Sequence, residues 1–512
     1  MRKHIWIPFL TVLILAVFTS PAAADPFIKV FGGPLDDGAR HIAPTDDGGF
    51  IVTGYYTYPA EPDTIDQDVW VLRLNAVGDT PWTRTFGTTD ALLHELGRCG
   101  TETTDGDVVV CGTWASGTDY LHMDQSGDPF VMRLHGDTGA LDWRWSWGGD
   151  NPEVGGAAAH VVENADGDFV VAGARRAHGF SQKHAFLIQL SPTGRDTLEH
   201  LYPAEFDQKT WATCIRQTPA DGGYIMSGLN YPPPEPGKAR GVSRGYLIKT
   251  DAAGDTLWTR VIEKPSCNFE GRHICLTADG GYAITGNRNR AEGEPNEAYI
   301  YKTDADGAVQ LDRGYSGDLT CAGDAVAQTP DGGYVVAGFD ILTGTESRDA
   351  FLLKTNAAGD TLWVRHYGFA FGQDYEDRAF SVAVLPDGFI MAGRTTRPGT
   401  GGSDVLIIRT DERGVVVGVT EDETPGRPGL AQNHPNPFNP RTTIVFEIAS
   451  PGPAKLEVFD ARGRRVTTLV DAVEEAGRHE VDFRGEGLAS GIYYYRLQTA
   501  RHTETRRMAL IR

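Results

Sequence analysis

The chain has 512 residues, 40% of them hydrophobic and 23% charged, with a net charge of −22. That length is enough for two or three domains with a sizeable core, and the negative field opposes phosphate backbones, which argues against nucleic acid as a partner. The acid excess falls between the first residues and Leu430, because both ends carry a slight basic surplus.

Arg2 and Lys3 open a segment in which Ile5 to Phe18 is apolar and Ala22-Ala23-Ala24 precedes Asp25. A basic start, an apolar stretch and small residues, in that order, predict a signal peptide over 1–24. The apolar stretch is about 14 residues and is interrupted by Pro8, whereas a membrane span takes roughly 20. No later stretch reaches that length. The expectation is a secreted, extracellular protein, or one anchored at the outer-membrane surface with no transmembrane helix after cleavage.

From Asp25 onward one turn-and-strand phrase recurs: DDGGFIVTG ending at Gly54, TDGDVVVCG at Gly112, ADGDFVVAG at Gly173 and ADGGYIMSG at Gly228. ADGGYAITG follows at Gly286, PDGGYVVAG at Gly338 and PDGFIMAG at Gly393, at intervals of roughly 55 residues. Each phrase is preceded by a short strand such as Ala39 to Ile42. It is followed by a variable loop and an alternating strand such as DVWVLRLN (68–75) or DAFLLKTN (349–356). A second turn then opens a strand that carries tryptophan in TLWTR (256–260) and TLWVR (361–365). Period-2 alternation between tight turns is antiparallel β-structure, and the repeat length suits a four-stranded propeller blade. Phe27 to Gly33 matches the fourth strand of a unit, which the last unit lacks, so a ring can close by pairing the two ends. The predicted fold is all-β: a seven-bladed β-propeller over 25–419, then a linker over 420–429 and a small Ig-like β-sandwich over 430–512.

The stretches Lys249 to Trp258 and Lys354 to Trp363 resemble the docking motif of quinoprotein dehydrogenase propellers, in which the tryptophan wedges between blades. The quinone enzymes' adjacent-cysteine disulfide is absent from this sequence, so the resemblance implies packing. The repeats as a whole resemble secreted prokaryotic proteins built from DGGYIVAG…DAFLIKTDAAGDTLW units.

Binding and catalytic residues concentrate on loops held by a rigid scaffold. The long connections begin near Tyr55 and bring Tyr55, Tyr56, Trp114, Tyr120, Tyr231, Arg240 and Arg288 to one face, a candidate surface for a glycan or peptide ligand. Asp37, Glu95 and Asp377 approach the same face at equivalent places. They are the candidate acids of an alternative reading, a secreted glycoside-hydrolase-like enzyme, which needs two carboxylates about 5–10 Å apart. Asp304-Ala305-Asp306-Gly307 lacks the glutamate of a calcium loop, Tyr315 standing in its place. No G-x-S-x-G, Walker, HExxH or spaced Cys/His ligand phrase occurs, so no catalytic residue, metal or cofactor is expected. The even set Cys99, Cys111, Cys214, Cys267, Cys275 and Cys321 permits disulfides in an exported chain, and Cys99 and Cys111 flank a tight turn from which they can face each other.

Beyond the Pro/Gly-rich linker the composition changes. Asn433, Pro435, Asn436, Pro437, Phe438, Asn439 and Pro440 form an NxPNPFNP phrase, Gly491 and Tyr493 a GxYxY strand, and Arg506 to Arg512 a basic and apolar tail. This region resembles the type A C-terminal sorting domain of the type IX secretion system, itself similar to the Ig-like module of flagellar hook-cap proteins. His434 departs from the tyrosine commoner there. The resemblance implies an outer-membrane translocon and a sortase-like peptidase as partners, with cleavage near 420–429. The predicted leader disfavours a flagellar role. The function expected on this basis is non-catalytic binding or display at the cell surface.

Overall fold

Gly106 shows why the repeated phrase carries glycine in its turn: its φ is +86°, a region where a side chain is strained. That turn joins the strands Leu93–Glu102 and Val108–Ser116, and the Thr103 hydroxyl donates to Asp105 Oδ1 at 2.6 Å to brace it. The computed structural model describes residues 25–416, except 61–63, 88–92, 117–126, 148–155, 177–181, 204–207, 233–242, 264–267, 290–294, 318–319, 342–346, 369–375 and 397–401. It also describes 429–510, except 431–432, 434–437, 449–451, 461–462, 475–476 and 500–502. The expected leader and most of the linker lie outside these residues. No helix among them is long and apolar enough to cross a membrane.

The chain is all-β and folds as a succession of four-stranded antiparallel units, the first three of them joined into one twelve-stranded sheet through the pairs Gln67–His94 and Gly127–Gly156. In the first, Gly38–Pro44, Phe50–Ala60, Thr64–Leu74 and Trp82–Phe86 pair in that order. The same order recurs after each of the first strands Leu93–Glu102, Gly156–Glu163, Lys209–Gln217, Phe269–Leu276 and Cys321–Gln328. The last sheet has Asp377–Leu385, Gly388–Thr396 and Ser403–Asp411, and takes its fourth strand, Phe27–Phe31, from the other end of the region. Each first strand packs beside that of the next unit, and Asp377–Leu385 packs beside Gly38–Pro44, so the series returns to its start.

Apolar side chains fill the space between neighbouring sheets. Val69, Val71 and Trp82 of the first unit, for example, meet Val108, Phe130 and Met132 of the second. The tryptophans of the fourth strands have the packing role their motif implies. The Trp82 indole N–H donates to Gly136 O of the next unit at 2.9 Å, and a side chain at Gly139 would meet the ring at 2.6 Å. Trp258 stands likewise against Gly307 and Trp363 against Gly414, while Phe27 takes that place against Gly78.

After the linker, Gly429–Leu430, Arg441–Ile448 and Gly477–Arg484 make a three-stranded sheet. A four-stranded sheet, in the order Arg465–Glu474, Gly452–Asp460, Gly491–Thr499, Thr503–Leu510, shares its core with the first. Phe438, Phe446, Leu456, Phe483, Tyr495 and Met508 are buried together there.

Candidate functional site

The glycine that ends each repeated phrase brings the second strand of its unit close against the first. A Cβ on Gly54 would lie 1.9 Å from Gly38 O of the first strand, and one on Gly228 would lie 1.7 Å from Trp211 O. Opposite this close approach every first strand carries a β-bulge, where an extra residue breaks the register. A bulge re-aims side chains. The extra residues are Arg40, Arg98, Ala159, Thr213, Arg272, Asp324 and Phe380, and the residues after them are His41, Cys99, His160, Cys214, His273, Ala325 and Ser381.

The second set brings imidazoles and thiols together. The His41 and His160 rings meet edge to face at 5.6 Å, and His160 and His273 at 6.3 Å. Donor atoms of His41, Cys99 and His160 lie within 4.8 Å of one another, as do those of His160, Cys214 and His273. His41 donates from Nδ1 to the Gly100 carbonyl at 3.0 Å. The guanidinium of Arg216 occupies the second group: Nη1 is 2.8 Å from His160 Nε2 and 3.2 Å from Cys214 Sγ, and Nη2 is 3.1 Å from His273 Nε2. Burial works against a Cys214 thiolate, but Arg216 and the two histidines outweigh it and hold the thiol well below its usual range. Burial also opposes an imidazolium at His160, yet Cys214 and Cys99 push it up to about 9. The sequence held no spaced Cys/His phrase because each of these donors comes from a different repeat.

The first set is rich in arginine. Asp324 accepts two bonds from Arg378, at 2.7 Å from Nε and 2.6 Å from Nη2, and pairs with Arg272 as well. Glu376 accepts from Arg348 at 3.1 Å and pairs with Arg394. Arg40 pairs with no carboxylate among the described residues. Its guanidinium lies 4.6 Å from the Phe380 ring centre and 5.7 Å from that of Tyr55. Arg98 is likewise without a carboxylate and donates from Nε to Thr113 Oγ1 at 3.3 Å. Burial pulls both guanidiniums down to about 10, and Arg40 adds to the effect on Arg98. A cavity of about 300 Å³ opens over this group, lined by Arg40, Tyr55, Gln67, His94, Glu376 and Arg394 among others. It lies at the end of the sheets where the long connections leave.

The carboxylates singled out in the sequence are all interior. Asp37 is fully buried and accepts the backbone N–H of Gly33 at 2.6 Å and of Thr57 at 2.8 Å. Burial pushes its carboxyl up to about 6 despite those bonds. Glu95 is buried beside Asp66 and Asp68, the three offering oxygens within 4.8 Å, and Asp377 is buried in the last unit.

Several of the aromatic and basic candidates differ from an exposed face. Arg288 is 4% exposed, because the strand Tyr282–Asn289 runs on through it and Glu297 and Asp312 pair with its guanidinium. Tyr55 is 5% exposed yet lines the cavity. Trp114 is half-buried, stacked under Arg144 and edge-on to Phe130. Tyr56 packs on Trp70, and Tyr231 lies beside Lys209. Tyr120 and Arg240 lie outside the described residues. Cys99 and Cys111 stand directly opposite each other with their sulfurs unbridged. Cys99 Sγ is instead turned to within 3.8 Å of the Val161 carbonyl in the next unit. Cys214, Cys275 and Cys321 are also free and buried.

In the C-terminal part, Asn433 is buried: its N–H donates to the Tyr495 hydroxyl at 2.8 Å and its Nδ2 to Thr442 Oγ1 at 2.9 Å. Phe438 donates its N–H to Ala509 O at 2.9 Å and packs on Phe483, while Tyr493 donates its hydroxyl to Ala489 O at 2.9 Å. Gly491 opens the strand paired with the chain's final strand, and Asn439 is exposed beside Pro440. Pro435, Asn436 and Pro437 lie outside the described residues.

No curated protein matches the chain. A solved structure of β-1,2-mannobiose phosphorylase from Listeria innocua, in complex with β-1,2-mannobiose, is similar at 11% identity over 75% of this chain and 91% of that one. Its TM-score is 0.27, too low to bear on fold or activity. Residues 433–511 match the family described as the secretion system C-terminal sorting domain. The chain therefore ends in a type IX secretion sorting domain, which marks it for export to the cell surface or the medium.

Proposed function

We propose that this is an exported binding protein, a seven-bladed β-propeller over 25–419 that presents a ligand site and carries no catalytic machinery. In this reading residues 1–24 direct the chain out of the cytoplasm. The Ig-like sandwich over 430–512 then engages the type IX translocon and a sortase-like peptidase, and is cut off near 420–429 to leave the propeller at the outer-membrane surface. The pairing of Phe27–Phe31 with Ser403–Asp411 supports the ring, because it covers the Ser403–Asp411 edge and gives the last sheet four strands like the others.

The observation that carries the binding reading is the cavity of about 300 Å³ at the long-connection end, with half-buried arginines, a tyrosine and a histidine lining it. A concave site with a few convergent polar groups on a rigid frame is the form that small-ligand sites take. Asp37 caps the backbone N–H groups of Gly33 and Thr57, which supports a structural role for it.

The test is to screen the purified full-length protein on glycan and peptide arrays while assaying each hit for turnover. Retained, unmodified ligand is the expected result. Turnover would overturn the non-catalytic reading and support a secreted hydrolase.

A further inference from the structure

We propose that the cavity binds a small organic oxyanion, a carboxylate or sulfate ester of about monosaccharide size, with Arg40 as the principal anion contact and Arg98 as a second source of positive potential. This deepens the binding reading above and rests on it.

The argument begins with the acids that could neutralise Arg40. Each is committed elsewhere. Both oxygens of Asp324 are taken by Arg378 and Arg272. Glu376 gives one oxygen to Arg348 and the other to Arg394. Asp36, on the cavity wall, accepts the Ser403 N–H at 2.9 Å and its hydroxyl at 3.2 Å. Arg40 is left with aromatic faces, which orient a guanidinium but do not discharge it, and its Nε has no hydrogen-bond partner. Arg98, its counterpart one repeat later, has only the Thr113 hydroxyl among the described residues.

Six guanidiniums, those of Arg40, Arg98, Arg272, Arg348, Arg378 and Arg394, thus stand near four carboxylates, Glu270, Asp324, Glu376 and Asp36, of which the first three are each paired with an arginine other than Arg40 or Arg98. A desolvated charge of this kind is costly unless something pairs with it. An incoming carboxylate or sulfate supplies that partner, and guanidinium is the group best shaped to bind either one through two parallel bonds. Gln67 and Tyr55 on the wall offer further polar contacts beside an apolar ring. The surplus is local, set within a strongly acidic chain, so the site selects small anions over polyanions such as nucleic acid.

Full-length protein titrated calorimetrically with galacturonate, with galactose and with inorganic sulfate tests the idea. The expected result is binding of galacturonate at least tenfold tighter than galactose, with sulfate competing, and loss of that preference in Arg40→Gln. The same variant without ligand should melt higher than the parent, since it removes a buried unpaired charge. A merely structural Arg40 would melt lower on replacement. Arg98→Gln should weaken galacturonate less than Arg40→Gln. If galactose binds as tightly as galacturonate and Arg40→Gln changes nothing, the anion assignment is wrong while the binding reading stands. If none of the three binds and the array screen also yields no ligand, both fall.

Discussion

Ile28 stands directly across from Ile408, so a strand from the start of the repeat region completes the sheet built by its end. Ile28 and Val30 pack partly buried against a core formed by Leu406, Ile408 and Met391. Truncating a half-buried isoleucine costs roughly 1–2 kcal/mol, below the figure for a fully buried one, so Ile28→Ala should lower the melting temperature modestly. Removing residues 25–31 is a harsher change, because it bares the Ser403–Asp411 edge to pairing with other chains. Calorimetry with size-exclusion chromatography should show a lower melting point and soluble aggregates. A monomeric truncated protein with unchanged melting would mean that the ring holds without this strand.

Gly54 and Gly106 serve the same hairpin motif in different ways, and alanine should separate them. At Gly54 a methyl group meets the Gly38 carbonyl at 1.9 Å, so one strand must move away from the other. Overpacking against backbone costs about 1–3 kcal/mol or more. At Gly106 nothing lies within 4 Å and only the positive φ is strained, which costs about 1–2 kcal/mol. Urea midpoints should therefore fall further for Gly54→Ala than for Gly106→Ala. Equal shifts would mean that the close strand approach relaxes freely.

These two glycines also show what could be read in the sequence. The Asp-Gly turns and the alternating strands were legible because both are local and recur. The phase of Phe27 to Gly33 pointed to the pairing at the ring's seam. The glycine within each second strand stood in plain view, but its consequence, a bulge in the strand opposite, needs two segments in register. His41, His160 and His273 went unnoticed for that reason, and Cys99 and Cys214 were read only as disulfide candidates. No two share a repeat, and motif spacing detects only ligands close in the chain. Stacking the first strands of the repeats and reading down the column would have found them. Arg288 was misjudged for a simpler reason, that its strand runs beyond the repeated glycine before the loop begins.

Asp68 should give the protein a measurable pH signature. Burial, and then Asp66, push its carboxyl up to about 6, above the unfolded value of roughly 3.9. The folded state therefore holds this proton more tightly than the unfolded state does. Stability from the group is full below about pH 4, declines as pH rises toward 6 and is level beyond. Asp68→Asn removes the ionisation, so its thermal melts should match the parent near pH 4 and exceed it at pH 7. An advantage of the same size at both pH values would place its source outside the carboxylate.

Phe438 allows the sorting domain to be tested apart from the repeats. The ring is 1% exposed, lies against Phe483 in the C-terminal core, and belongs to the proline-rich phrase that marks the domain in the sequence. Its N–H is tied to Ala509, so one residue holds the phrase to the final strand. Phe438→Ala opens a cavity worth about 3–5 kcal/mol, a large share of the stability of a module this size. Tyr495→Phe is milder, leaving the buried Asn433 N–H without its acceptor at about 1–3 kcal/mol. If the translocon reads a folded sorting domain, surface display measured by cell fractionation should drop steeply for Phe438→Ala and slightly for Tyr495→Phe, with undelivered protein retained in the periplasm. The melting of the repeat region should be unchanged in both. Full display of a Phe438→Ala chain whose C-terminal module is demonstrably unfolded would mean that export depends on a linear signal and not on the packed sandwich.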